Sequence, residues 1–132
     1  MTTERFREGE RVIERWDRVF RVLTAEPRRQ LITTLLDAGA ERPVPLPEAA
    51  MSPTVPRERE TLRFHLHHRH LPMLAEAGFV RWEREPLRAW RGPNFEEAAV
   101  VIASLHECAD ELPDRLVHGC HRLEAERAAG ER

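Results

Sequence analysis

At Gly78 the chain changes its period, and that change constrains the fold more than any other feature. Before it, RERETLRFHLHHRHLPMLAEAG places Leu62, Leu66, Met73, Leu74 and Ala77 on one helical face. After it, FVRWERE alternates, with Phe79, Arg81, Glu83 and Glu85 on one side and Val80, Trp82 and Arg84 on the other. LRAWRG answers that run across Pro86, so a long helix followed at once by a β-hairpin is expected. The helix is expected from about Val55 to Ala77, N-capped by Thr54 and C-capped by Gly78. At 1.5 Å per residue such a helix is about 35 Å long. Pro72 lies inside it and is expected to kink it, because its ring crowds the carbonyl of His68.

The residues upstream read as smaller pieces. Phe6, Ile13 and Phe20 repeat every seven, with Gly9, Trp16 and Leu23 interleaved, which is one heptad seam along a helix from about Glu4 to Thr24. Val12 and Val19 flank that seam and make it wide enough for both a core and a partner helix. Gly9 costs that helix about 1 kcal/mol relative to Ala. Pro27 suits the first turn of a second helix, RRQLITTLLDAG, whose buried face is Leu31, Ile32, Leu35 and Leu36, with Gly39 as C-cap. Arg42–Leu46 admits at most an edge strand because of its prolines. Pro47–Met51 has room for about one helical turn.

Downstream, NFEEAAVVIASLHECADEL starts a final helix at Asn94, Pro113 interrupts it, and DRLVHGCHRLEAERAA resumes it. The order is therefore helix, helix, short strand, short helix, long helix, hairpin, C-terminal helix. It is the order of a mainly α (α+β) winged helix-turn-helix domain, in which the long helix enters the major groove and the hairpin reaches the backbone. The expected division is a domain over 1–94 and one or more dimerisation helices over 95–132.

Composition narrows the function. The 132 residues fit one core, and 33% charged with 41% hydrophobic residues is a globular balance. Every basic residue is Arg. Residues 57–91 carry eight Arg against five acids and four of the seven His, whereas 92–132 carry four Arg against nine acids. A basic middle and an acidic tail suit a module that turns one face to phosphate. With no apolar signal core and only two cysteines, a cytoplasmic protein without membrane attachment is expected. No Gly-rich phosphate loop, G-x-S-x-G or CxxC occurs, so an enzyme is not expected.

Two stretches resemble the ArsR-like winged-helix regulators, and in particular an archaeal branch. DRVFRVLTAEPRRQLITTLLDAG (Asp17–Gly39) is similar to the family's opening, and LHHRHLPMLAEAGFVRW (Leu66–Trp82) to its H-L-x-x-L-x-x-A-G-[LF]-V segment. His70, Leu71, Leu74, Ala77, Gly78, Phe79 and Val80 stand at those positions, and the H-L-P variant marks the archaeal branch. The resemblance implies a homodimeric regulator of transcription bound to double-stranded DNA. Here the first helix of the helix-turn-helix is cut down to PEAAM, so base-contacting residues do not transfer directly.

On the residues themselves, Arg57, Arg59, Arg63, His65, His68 and Arg69 are the outward candidates for DNA on the long helix, with Arg84 and Arg88 in the wing. Some of these arginines have Glu58, Glu60, Glu83 and Glu85 as alternative partners. The candidate dimer interface is Phe6, Ile13, Trp16 and Phe20 with Val101, Leu105, Leu112 and Leu116. His67 is expected to face the core, and Cys108 and Cys120 to be buried small hydrophobes. On a continuous last helix His106, Asp110, Asp114, His118, His121 and Glu124 would share a side. Metal-sensing relatives carry D-x-H-x10-H-x2-[EH] there; His118 and His121 keep its end, while Ser104 replaces the Asp and the gap is eleven. No cofactor is expected, with Zn²⁺ at His106, His118 and His121 of crossing helices as the alternative. The alternative to DNA is a winged-helix module that binds protein.

Overall fold

The structure is a computed structural model that describes residues 2–130. Its elements run α1 (Thr2–Val22), α2 (Glu26–Ala38), β1 (Val44–Pro45), a 3₁₀ turn (Glu48–Ala50), α3 (Arg59–His65), a π turn (Leu66–His70) and α4 (Leu71–Glu76). β2 (Val80–Arg84), β3 (Leu87–Arg91), α5 (Phe95–Glu107), two further 3₁₀ turns and α6 (His121–Gly130) follow. The result is mainly helical, with one small antiparallel sheet ordered β1-β3-β2. The expected edge strand is present, Val44 lying opposite Ala89 and Val80 opposite Arg91. No helix among the described residues is long and apolar enough to cross a membrane.

One core joins the middle of the chain. Leu31, Ile32 and Leu35 of α2 are fully buried against Leu62, Leu66, Leu71 and Leu74 of the long helix and Phe79 beyond it. Phe95, Ala98, Ala99 and Ile102 of α5 belong to the same cluster, so α5 covers the core of 1–94. Gly78 ends the helix as expected, at φ +78, with the Phe79 amide donating to the Leu74 carbonyl. Gly92 allows the hairpin to close on that step: a Cβ there would stand 2.5 Å from the Gly78 carbonyl oxygen.

The long helix differs from expectation at its start and its middle. It begins at Arg59, because the Glu58 carboxylate accepts from the Glu60 and Thr61 amides. Thr54 is not a cap; its amide and that of Val55 are held by the Ser52 hydroxyl in a tight local turn. Before Pro72 the helix widens into the π turn instead of bending at the proline alone. That widening takes up the clash and the missing N–H, and it moves Leu71 fully into the core. Asn94 precedes α5 but caps nothing with its side chain, whose Nδ2 donates to the Ala77 carbonyl.

The C-terminal segment departs furthest from the expected continuous helix. α5 ends at Glu107, Leu112 is extended before Pro113, and Gly119 turns the chain at φ +98 into α6. Arg127 of α6 donates to the carbonyls of Ala109 and Leu112 and reaches Asp114, which holds the fold-back in place. Arg122 pins the same helix to Asp37 at 2.7 Å.

Candidate nucleic-acid interface

Around the long helix the candidate side chains divide into three groups. Leu62, Leu66 and His70 point inward. Phe64 and His68, one turn apart, form the outer ridge, stacked with ring centroids 4.3 Å apart; Phe64 is 59% exposed. Arg63 and His67 flank the ridge on the hairpin side. His67 meets the Trp82 ring edge-on at 5.8 Å, and the Arg84 guanidinium lies over that Trp82 at 5.3 Å. Burial, helped by the nearby charges of Arg84, His68 and Arg63, holds the His67 pKa below its ordinary value, so this ring is neutral at pH 7.

His67 is thus half-buried against the hairpin and not in the core proper. The contact locks helix and hairpin edge to edge. It brings Arg63 and Arg84 to one surface, with His68 on the adjoining ridge. Arg59 and Arg88 are already engaged, Arg59 with Glu48 and Arg88 with Glu83. Both pairs are exposed, where an ion pair contributes about 0–1 kcal/mol and yields readily to phosphate. Phe64 was not among the sequence candidates; as an apolar residue off the buried face of a basic helix it had a readable signal.

Arg57, His65 and Arg69 stand on the other flank. They line an open cleft of about 530 Å³ between the long helix and the start of α2, together with Glu26 and His70. Arg57 Nε lies 3.7 Å from Glu26. His70 belongs to a buried pair that extends behind the cleft: Arg28 and His70 are only 4% and 5% exposed. Arg28 Nη1 donates to His70 Nδ1 at 2.8 Å, and its other nitrogens donate to the Val22 carbonyl and the Thr24 hydroxyl. Burial, then the charges of Arg28 and Arg69, push the His70 pKa down to about 4.

The expected dimer residues also divide. Phe6, Ile13, Trp16 and Phe20 are all at least half exposed along α1, with Trp16 and Phe20 stacked at 5.7 Å. On the C-terminal side Leu105 and Leu116 are exposed, whereas Val101 packs on the chain's own core and Leu112 is half-buried. The break at Leu112–Pro113 removes the single helical line that was to carry these four. It also distributes His106, His118 and His121 over α5, a turn and α6, and no group of three metal-ligating side chains is gathered among the described residues. Cys108 is exposed and Cys120 half-buried, not the buried hydrophobes expected, because the continuous helix that would have set both beside its apolar line ends at Glu107.

Comparison with protein-family models, with curated proteins and with solved structures finds no match to this chain.

Proposed function

We propose that the chain is a winged helix-turn-helix regulator of the ArsR-like kind, binding double-stranded DNA as a homodimer. The observation that carries the reading is the lock of His67, Trp82 and Arg84, which presents Arg63, His68 and the hairpin arginines to one side. On this reading the Glu48–Ala50 turn and the long helix are the helix-turn-helix, and the β2–β3 hairpin, with β1 beside β3, is the two-stranded wing. Arg63 is placed for base edges, Phe64 for a thymine methyl, and Arg84 and Arg88 for the flanking phosphates. The apolar stripe of α1 supplies the surface for a second copy, and a two-fold dimer repeats the reading head on a second half-site. Selection of bound fragments from random duplex DNA tests this. Enrichment of one sequence in two inverted half-sites is the expected result; recovery without enrichment contradicts sequence-specific binding.

One observation favours a protein partner instead. Phe64 is exposed in the middle of the ridge, and Arg59 and Arg88 already satisfy carboxylates of their own chain. A protein-binding ridge keeps its affinity when salt is raised, whereas DNA binding weakens steeply.

A further inference from the structure

The cleft on the far flank of the long helix has a use that the DNA reading does not absorb. Behind its lining, in contact with His70, lies an arginine buried without a matching anion: the three acceptors of Arg28 are a carbonyl, a hydroxyl and an imidazole, all neutral. A buried cation in neutral company is left with an uncompensated charge. Arginine only donates, so the contact at His70 Nδ1 fixes that nitrogen as an acceptor and places the ring proton on Nε2. His70 lines the cleft, and its Nε2 has no hydrogen-bond partner among the described residues. The pull of Arg28 on one side of the ring strengthens the donor on the other. Arg69, exposed one turn after His65, adds a guanidinium to the same cleft.

The opposite wall carries the complementary charge. Glu26 Oε1 is buried and accepts no hydrogen bond, and Arg57 approaches it only to 3.7 Å. The long-helix wall of the cleft therefore offers donors for a carboxylate, and the α2 wall a carboxylate that is ion-paired with Arg57 but accepts no hydrogen bond at Oε1. A cleft of about 530 Å³ is within the range of small-molecule sites.

We infer that this cleft binds a small zwitterion of the amino-acid type, its carboxylate on His70 Nε2–H and Arg69 and its ammonium on Glu26. The bound carboxylate supplies, one imidazole away, the negative charge that Arg28 lacks. This site stands independently of whether the ridge binds DNA, and its test contains no DNA.

The test follows the His70 ring nitrogens by NMR while acetate or L-alanine is added to the whole protein. L-Alanine should shift the Nε2–H resonance saturably and bind about tenfold tighter than acetate, the effect of one added hydrogen bond between charged groups. Glu26→Gln should bring the two affinities together while leaving acetate binding undiminished. Arg69→Ala, at an exposed position, should weaken both ligands about tenfold. Absence of a saturable shift with either ligand overturns the site. Equal affinities for the two ligands in the parent, or a preference that survives Glu26→Gln, overturns its zwitterionic character.

Discussion

The first two helices are both amphipathic, and the structure uses their apolar faces in opposite ways. α2 spans thirteen residues and buries Leu31, Ile32 and Leu35 completely. α1 spans twenty-one and buries only Val19 and Val22 near its end, leaving Phe6, Ile13, Trp16 and Phe20 outward. The difference lies in what each helix is next to. α2 is clamped by the Glu48–Ala50 turn, β1 and α5, whereas only the last turn of α1 reaches that core. Periodicity reports that a helix has an apolar face but not what covers it. A contiguous apolar stripe of this length on a monomer marks an interaction surface.

The largest effect is expected in α2. Leu35→Ala should cost about 2–5 kcal/mol in urea denaturation, because a fully buried side chain leaves a cavity among rigid neighbours. A cost below about 1 kcal/mol would show that α2 is not the core helix.

The buried pair between α2 and the long helix gives the next effect. His70 has a folded pKa of about 4 against an ordinary 6.5, so between those values the unfolded chain binds the extra proton. Stability is therefore full above about pH 6.5 and is lost as the pH falls toward about 4, by up to roughly 3 kcal/mol. His67 and His106 are shifted in the same direction, so NMR titration of His70 itself is the deciding measurement. A His70 ring that charges near pH 6.5 would contradict the buried pair.

Mutation of α1 should do the reverse of mutation of α2. Ile13→Glu with Phe20→Glu should leave monomer stability within about 0.5 kcal/mol, as surface changes do, while sedimentation shows the dimer lost. A parent protein that sediments as a monomer would remove the role given to the stripe. The smallest effect is at Gly9, where an added Cβ meets nothing within 4 Å. Gly9→Ala should raise stability by about 0.5–1 kcal/mol through helix propensity. A loss instead would mean that the partner helix approaches at Gly9.

How far the sequence could be read depended on whether a signal was local. The change of period at Gly78, the proline-limited edge strand and the face of Leu31, Ile32 and Leu35 all follow from side chains within a few residues. The π turn at Leu66–His70 is invisible in apolar spacing, because one inserted residue moves Leu71 inward without altering the pattern before it. Glu58 and not Thr54 is the cap because Ser52 holds Thr54 in a local turn and the Glu60 and Thr61 amides fall to the Glu58 carboxylate. The C-terminal fold-back depends on Arg127 and Arg122 meeting carbonyls and carboxylates far along the chain. At the interface, the eight basic candidates were visible as a group. Their separation into a ridge side and a cleft side was not, because it depends on the packing of His67 on Trp82 and of Arg28 under His70.

The central claim is that the face shared by Arg63, His68 and the hairpin binds duplex DNA by sequence. The most direct measurement titrates a selected duplex and a scrambled one with the parent and Arg63→Ala at several salt concentrations. Binding should fall steeply with salt, and Arg63→Ala should lose about 1–3 kcal/mol on the selected duplex with the scrambled one nearly unchanged. Salt-independent binding, or a mutant that binds both duplexes as the parent does, would contradict it.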